Sequence, residues 1–418
     1  MMCAGRRAGR LAVRQTFINV VRPLLFWSHL VVGAVAGLVI LVMSVTGALL
    51  AFQPQILRFI DRDVRTVSVP ADQAPLAPQV LLAHVAEARP DLHPSSLTVS
   101  HNAEDAVSVV ADRTTLYVDP YTGQVLGSPS TSAPQVFRSI ENWHRWLAAP
   151  GTWRQSGKSV ADASNAAFLV LALTGLVLWW PRTAQWRQFR TVLWFRTSGT
   201  AKARDFNWHN VIGFWSAPVL IVLTATGVVM SYPQVNAWLF QVTGSPVAGR
   251  PAGPEGARPG GPEGAEGRRR PGGAPAAVAP VPAHIDELVA RAETLSTRWD
   301  SVTLRWTANA AAPVSVSVAG VSPWNAMARG TASIDPSSGE VLNWQPAGSS
   351  SLGQRVRTWV RFAHTGEVYG WPGQLAAALA CVGGVVLVWT GLSLALRRLS
   401  AARARRTSVH AVRAARAA

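Results

Sequence analysis

Four long apolar stretches, separated by polar segments, dominate the pattern of the chain. A helix needs roughly 20 apolar residues to cross the hydrocarbon core of a bilayer. The stretches therefore predict four transmembrane helices, at residues 24–52, 161–180, 209–232 and 372–396. The first is too long for the apolar part of a cleaved signal peptide, and no small-residue cleavage site follows it, so we interpret it as a span.

The polar segments that follow the first and third spans show the short alternating runs typical of β-strands. Each begins with a predicted helix and continues with predicted strands: 78–88, then 96–100, 106–111 and 115–118; and 284–295, then 301–307 and 314–318. Asp119–Gly123 and Asp335–Gly339 predict tight turns in which glycine supplies the positive φ. We therefore expect an integral α-helical membrane protein with two small α+β modules, at 53–136 and 284–346.

The two halves of the chain repeat each other. One fixed offset aligns the first span with the third, pairing His29 with His209 and Thr46-Gly47 with Thr226-Gly227. A second, larger offset aligns the two Asp-Pro turns and takes Thr174-Gly175-Leu176 to Thr390-Gly391-Leu392. Each half is a span, a module and a span, and such repeats place binding sites between the halves. We interpret the Thr-Gly pairs as helix-packing points.

Basic residues mark one side of the membrane. The net charge is +17, and arginines are concentrated at 1–23, 181–208 and 397–418. The positive-inside rule predicts that these two tails and the loop are cytoplasmic, as in a multi-pass protein of the bacterial inner membrane with periplasmic modules. Because the arginines flank spans rather than cover a soluble domain, we expect membrane lipid, and no nucleic acid, as a partner.

Three further segments complete the predicted organisation. Residues 137–160 and 347–371 are amphipathic and interfacial, and 233–283 contains a Gly/Pro-rich stretch that predicts a disordered linker. Cysteine adds little, since Cys3 and Cys381 cannot form a disulfide within either module. The sequence has no C-x-x-C-H motif, which excludes covalent c-type haem attachment.

Four histidines occupy related places in the two halves. His29 and His209 lie at the same register of the first and third spans, where an ionisable side chain is costly and indicates function. His144 and His364 precede the second and fourth spans. The stretch from His29 to Thr46 corresponds to about 25 Å of helix. Two facing pairs, one toward each side of the membrane, would suit two bis-histidine haems b.

The alternative is structural: glycines that allow close helix packing, and ordinary histidines at a membrane–water boundary. The remaining histidines have no repeated partner, and we interpret them as surface residues: His84, His93, His101, His284 and His410. Asp119 and Asp335 are interpreted as turn residues rather than catalytic acids. No catalytic residue is predicted, and the four histidines are predicted as haem ligands only.

Several short motifs in a fixed order resemble the PepSY-associated transmembrane family. They are the H-x-x-x-G…T-G spans, the T-G-L-x-L ends of the second and fourth spans, the H-T-G before the last span and the D-P-x-[TS]-G-x-V-L hairpins. The resemblance covers nearly the whole chain except the linker and tails. The chain departs from the family's pattern in the Arg145–Pro150 segment and in the long linker.

This resemblance implies an inner-membrane protein of four main helices with PepSY-like periplasmic modules. Some members are iron-regulated ferric-siderophore reductases that carry two haems b, and their ligands correspond to His29, His144, His209 and His364. Some relatives contain a fused flavoprotein domain, which this sequence lacks, so we expect a separate electron donor, either a cytoplasmic reductase or quinol.

We therefore expect an oxidoreductase that moves electrons across the membrane through two haems b to a periplasmic ferric siderophore or other Fe(III) chelate. Two alternatives stay open. One is a non-redox assembly or uptake factor with structural histidines, and the other is a regulator whose PepSY-like modules bind peptides or restrain a peptidase.

Overall fold

The computed structural model describes residues 20–180, 185–196, 199–246, 279–320 and 329–417. Most of the predicted disordered linker and of the N-terminal tail lies outside these residues. The described residues divide into two compact units. The helical unit is drawn from Met1–Gln53, Gln135–Asn236 and Val360–Ala418, and the sheet unit from Pro54–Pro134 and Ala237–Trp359.

The described α-helices are, in chain order, α1 (Arg22–Leu50), α2 (Gln53–Ile60), α3 (Arg62–Arg65), α4 (Pro78–Ala88), α5 (Ser132–Trp146), α6 (Arg154–Trp179), α7 (Trp186–Leu193), α8 (Ala201–Ser231), α9 (Pro233–Val242), α10 (Ile285–Glu293), α11 (Leu352–Thr365) and α12 (Gly370–Ala417). The described strands are β1 (Pro94–Ser100), β2 (Val107–Ala111), β3 (Thr114–Val118), β4 (Val125–Gly127), β5 (Ser301–Arg305), β6 (Val314–Ala319), β7 (Arg329–Ile334) and β8 (Val341–Gln345).

Four of the described helices, α1, α6, α8 and α12, are long and apolar enough to cross a membrane, as the sequence predicted. Three of them extend beyond their apolar runs. α8 begins at Ala201, inside the segment predicted as a cytoplasmic loop. α6 begins at Arg154, and its polar first turns are supported by an ion pair between Lys158 and Asp162, 2.5 Å apart. α12 continues to Ala417, through the segment predicted as a basic tail.

The four long helices pack in a ring. α1 contacts α6 and α12, and α8 contacts the same two helices. α1 and α8 therefore face each other across the centre of the ring. Small residues bring α12 close to both, because a Cβ on Gly383 would lie 3.1 Å from Ser216, and one on Gly384 would lie 2.7 Å from Ser44. Close packing at small residues, which the sequence predicted, is confirmed at these contacts.

The sheet unit contains one antiparallel sheet of eight strands, ordered β4-β3-β2-β1-β5-β6-β7-β8. Each half of the chain contributes four neighbouring strands, and β1 and β5 join them, pairing Leu97 with Leu304. The sequence predicted two modules but not their fusion into a single sheet. The alternation that predicted the strands is visible in β5, where Val302 and Leu304 are buried and Thr303 between them is not.

The core of the sheet unit is shared by both halves. Helices α4 and α10 contact each other, and their apolar side chains pack with those of the strands into one buried cluster. Leu81 and Val85 come from α4, and Ile285 and Leu288 from α10. Because burial of a side chain of this size stabilises a fold by about 1.5–3 kcal/mol, the shared cluster binds the two halves into one folding unit.

Both predicted turns are present. Gly123 and Gly339 have φ values of 73° and 69°, in the left-handed region that glycine enters without strain. In the second turn the Asp335 carboxylate accepts hydrogen bonds from the backbone N–H groups of Ser337 and Ser338, at 2.8 and 3.0 Å. These bonds, with one from the Ser337 hydroxyl, lower the pKa of Asp335 to about 2. This aspartate is thus occupied in the turn, as predicted.

Candidate functional site

His29 and His209, which we call the span pair, meet across the ring of long helices. His29 lies on α1 and His209 on α8, the two helices that face each other across the ring. The centroids of their imidazole rings are 6.4 Å apart, and the ring planes meet at 85°. The repeat predicted that these residues correspond, and the structure brings them together.

His144 and His364, the connector pair, lie near the ends of α5 and α11, the helices that lead into the second and fourth spans. Their ring centroids are 6.3 Å apart, with the planes at 58°. All four histidines predicted as site residues thus occur in two facing pairs. Burial lowers the pKa of His144 to about 4, with a further contribution from neighbouring His364, and burial also lowers the pKa of His364. Both are neutral at pH 7, the form in which imidazole binds a metal.

The two pairs lie at different depths of the helical unit. On α1, the stretch from His29 to Thr46 covers about 25 Å of helix, at roughly 1.5 Å per residue. Thr46 hydrogen-bonds to His144, so the connector pair lies near the far end of this stretch. The same spacing separates His209 from Thr226 on α8, and Thr226 contacts His364.

Each histidine shares a hydrogen bond between its Nδ1 and a threonine hydroxyl. The four bonds are His29–Thr174 (3.0 Å), His144–Thr46 (2.9 Å), His209–Thr390 (2.9 Å) and His364–Thr226 (3.2 Å). Every one of these threonines belongs to a Thr-Gly pair. Each bond stays within one half of the chain, whereas each histidine pair joins the two halves.

In three of the four Thr-Gly pairs, the glycine also lies against the ring of the histidine that its threonine contacts. A Cβ on Gly47, Gly175 or Gly391 would lie 3.4, 3.5 and 3.3 Å from the Cε1 atoms of His144, His29 and His209. Gly227 differs, because the Asn165 side chain lies 2.8 Å from its Cβ position. Our interpretation of the Thr-Gly pairs as helix-packing points was therefore incomplete. Their repetition along with the histidines in both halves was the signal that could have revealed this.

A cavity of about 1110 Å³ lies within the helical unit, and both residues of the span pair line it. This is slightly above the usual range of roughly 300–1,000 Å³ for sites that bind small molecules and cofactors. Its walls are mostly apolar, with side chains such as Phe168 and Leu392. Five basic residues also line it: Arg22, Lys202, Arg397, Arg398 and Arg405.

Asp205 organises part of this basic lining. It is buried, and its carboxylate accepts hydrogen bonds at 3.0 Å from Arg397 and from the Ser393 hydroxyl, both on α12. Arg204 lies 3.4 Å from its other oxygen. From the sequence, Asp205 was only a lone acidic residue among arginines. The structure makes it the contact between the start of α8 and the end of the fourth span.

Other groups contribute no comparable site. Within the described ranges, no cluster of three or more His, Cys, Asp or Glu side chains could hold a metal ion. His93 pairs with Asp112 at 2.9 Å, and His101 packs against Trp299. These positions agree with our interpretation of them as surface histidines. His410 lies where the structure describes only the backbone.

The spacing of both pairs fits a metal ion bound by two imidazoles. A metal–imidazole nitrogen bond is about 2.0–2.1 Å long, as for zinc. The ring centroid lies roughly 1.1 Å beyond that nitrogen, given ring bonds near 1.33 Å. A metal held in line between two rings therefore separates their centroids by about 6.3 Å, the distance seen in both pairs.

Comparison with known families matches nearly the whole chain. The family model described as the PepSY-associated TM region matches residues 26–398. This range contains all four histidines and all four threonines. No curated protein matches the chain.

Proposed function

The chain belongs to the family of the PepSY-associated TM region, and on that premise we propose that it is a transmembrane electron-transfer protein with two haems b. The observation that carries the proposal is the pair of facing histidine pairs, each with the ring separation of a bis-imidazole metal site. When bound, such a haem supplies one-electron chemistry at a potential set by its axial ligands, burial and hydrogen bonds.

The chain's own residues would hold and orient the group at each site. His29 and His209 would hold one haem, and His144 and His364 would hold the other. The cavity around the span pair has room for a porphyrin, and its basic residues complement the two propionate carboxylates that a haem b carries. The donor set, the volume and the charge of this cavity all fit the same group.

Part of the helix interior between the pairs is apolar, although Ser44, Ser216 and Thr224 are also buried there. Leu220 and Leu223 of α8 pack with Ala377 and Ala380 of α12 in a buried cluster, and Phe168 packs against it. The proposed transfer moves an electron between the pairs and needs no hydrated pathway for an ion.

The proposed sidedness of the two pairs rests on the arginine-rich segments. Applied to the tails and the loop at 181–208, the positive-inside rule puts the span pair near the cytoplasmic face and the connector pair near the periplasmic face of a bacterial inner membrane. The donor would then be a cytoplasmic reductase or quinol, and the acceptor would be periplasmic. Arg138, Arg145 and Arg361 lie on α5 and α11, which we call the connector helices, and would attract an anionic acceptor.

We propose a ferric siderophore, or another Fe(III) chelate, as that acceptor. One electron converts Fe(III) to Fe(II), and hard oxygen ligands bind Fe(II) less strongly, so the iron can leave its chelator. The reaction consumes one electron per iron and needs no group transfer, which agrees with a site that supplies only histidine ligands and basic side chains.

Haem content tests the proposal directly. Full-length protein produced with haem available and purified in detergent should contain about two haems b per chain, measured as the pyridine haemochrome. His29→Ala or His209→Ala should remove one haem, and His144→Ala or His364→Ala the other. His93→Ala is the matched control and should retain both. Protein without a Soret band would contradict the proposal and favour a non-redox role for the sheet unit.

The acceptor is tested in proteoliposomes. A ferric siderophore added to reduced protein should reoxidise it, with Fe(II) captured by a chelator, and His144→Ala should abolish the reaction. Reoxidation by a quinone, but not by any ferric chelate, would show that the iron assignment is wrong while transmembrane electron transfer stands.

Sidedness is tested by cysteine labelling in a variant without Cys3 and Cys381. A membrane-impermeant maleimide added to spheroplasts should label Ala308→Cys, in the sheet unit, and should not label Ala203→Cys, at the start of α8. Both sites are exposed in the structure. The reverse pattern would exchange the cytoplasmic and periplasmic assignments of the two pairs.

A further inference from the structure

We propose that the threonine of each Thr-Gly pair is a positioning residue that fixes one histidine in the tautomer protonated at Nδ1. The inference rests on the proposed function, because the tautomer matters for binding a haem iron. It assigns a role to Thr46, Thr174, Thr226 and Thr390, none of which touches the cofactor's metal.

The first step is that each threonine hydroxyl has already used its proton. All four Oγ1 atoms donate to the backbone carbonyl four residues earlier in the same helix, at 2.6–2.7 Å. The acceptors are the carbonyls of Val42, Val170, Val222 and Val386. A hydroxyl has one proton to donate and two lone pairs that accept. The hydrogen bond to histidine must therefore run from the ring to the threonine.

The second step concerns the ring. Because the threonine oxygen can only accept, the histidine Nδ1 must carry the proton, and Nε2 of a neutral imidazole is then left with a lone pair. His364 supports this independently. Its Nδ1 also lies 2.9 Å from the carbonyl oxygen of Leu223, which can accept a proton but never donate one.

The third step is the connection to metal binding. A metal-ligating histidine commonly donates its other ring N–H to an acceptor, which sets the tautomer, fixes the ring and raises the basicity of the ligand. Here the acceptor comes from the paired helix of the same half. Thr174 on α6 holds His29 on α1, and Thr46 on α1 holds His144 next to α6. In each half, the threonines therefore orient the two histidines of that same half, and each of these histidines pairs with one from the other half.

The inference predicts the direction in which the midpoint potential of each haem should change. Losing the acceptor makes the imidazole a weaker electron donor to ferric iron, so the midpoint potential of that haem should rise. Loss of an outer hydrogen bond of this kind typically weakens metal binding by about 10–100-fold. Only the site that contains the altered threonine should change.

The experiment uses the full chain in nanodiscs with Thr→Val, which keeps the shape and removes the hydroxyl. Thr46→Val with Thr226→Val addresses the connector pair, and Thr174→Val with Thr390→Val the span pair. Thr→Ser at the same positions should restore wild-type behaviour. The matched control is Thr224→Val, because Thr224 is buried on α8 and donates to the Leu220 carbonyl in the same way, at 2.7 Å.

Two readouts separate this inference from the proposed function. Nitrogen-15 NMR of histidine-labelled, haem-free protein should show Nδ1–H at the four rings. This preference should weaken at the ring that loses its threonine acceptor, and least at His364, whose Nδ1 also donates to the Leu223 carbonyl. A redox titration of haem-loaded protein should show an upward shift of one haem only, with weaker haem retention. Valine variants that match Thr224→Val in both measurements would overturn the inference. Wild-type protein that binds no haem would overturn the proposed function, and the NMR result would still decide the tautomer.

Discussion

The two histidine pairs have the same ring separation but stand on different parts of the chain. The span pair lies within long membrane helices, and the connector pair lies on two short amphipathic helices that precede a span. Both pairs nevertheless have centroids 6.3–6.4 Å apart and threonine bonds at Nδ1. The two pairs therefore share the same arrangement of imidazole rings, although one pair lies on long membrane helices and the other on short amphipathic helices.

The connector pair depends on the joint between each connector helix and its span. The joint from His144 to the start of α6 at Arg154 is four residues longer than the joint from His364 to the start of α12 at Gly370. The extra residues of the first joint explain why the two halves lose their register before the second and fourth spans. The span pair has no such joint. Each of its histidines lies on one continuous helix with a threonine that contacts the connector pair.

The two joints have one close contact in common. A Cβ on Gly157 would lie 2.2 Å from the carbonyl oxygen of Trp146, and one on Gly373 would lie 2.3 Å from that of Gly366. Both distances are far shorter than any tolerated contact with backbone. These two glycines are related by the same sequence offset that relates Thr174 to Thr390. They let each span approach the end of its connector helix.

The largest effect is therefore expected from Gly157→Ala or Gly373→Ala. The added methyl group must displace the connector helix, which carries His144 or His364, while the span pair lies on helices that need not move. The variants should lose the haem of the connector pair and retain the other, as measured by haem content and reduced-minus-oxidised spectra. Ser156→Ala adds no methyl group at the contact and should retain both. Equal loss of both haems would show that the two sites are not independent.

The sequence predicted the spans, the correspondence of the four histidines and several strands because each depends on local patterns: apolar length, repeated register and alternation. β7 was missed because Gly330, Ala332 and Ser333 give it little apolar alternation. The pairing of β1 with β5 was missed because it joins residues from opposite halves of the chain, and no local pattern encodes that contact.

The contacts that complete the candidate site also join residues that are far apart in the sequence. The Thr-Gly pairs were visible in the sequence, yet their role depends on contacts such as that of Thr46 with His144, 98 residues away. Asp205 and Arg397 are separated by 192 residues. Polar partners of this kind are fixed by tertiary packing, so their role becomes apparent only in the folded chain.

A smaller but direct difference between the pairs should appear in electron paramagnetic resonance of the oxidised protein. The imidazole planes meet at 85° in the span pair and at 58° in the connector pair. Axial ligand planes near a right angle give low-spin ferric haem a more axial spectrum with a larger maximum g value than planes closer to parallel. We expect two low-spin signals, and His209→Ala should remove the one with the larger maximum g value. Two identical signals would show that the ring planes are equivalent when haem is bound.

The smallest expected effect concerns the first joint. Leu147 and Ala148 have φ values of 52° and 53°, whereas the second joint uses Gly366 and Gly370 at 78° and 61°. A left-handed conformation costs a residue with a Cβ roughly 1–2 kcal/mol. Replacing that residue with glycine removes this cost, but the greater chain entropy of glycine in the unfolded state offsets part of the stabilisation. Ala148 is exposed, so Ala148→Gly should raise the free energy of unfolding by about 0.5–1 kcal/mol, seen as a higher thermal midpoint.

Ala149→Gly is the matched control for this change, because Ala149 is the next residue and has no positive φ. It should lower the thermal midpoint, since glycine there adds chain entropy to the unfolded state without relieving strain. A midpoint that falls in both variants would show that the first joint carries no backbone strain. Leu147 and Ala148 would then adopt their positive φ values at no greater cost than Gly366 and Gly370 do. The two joints would differ only in length.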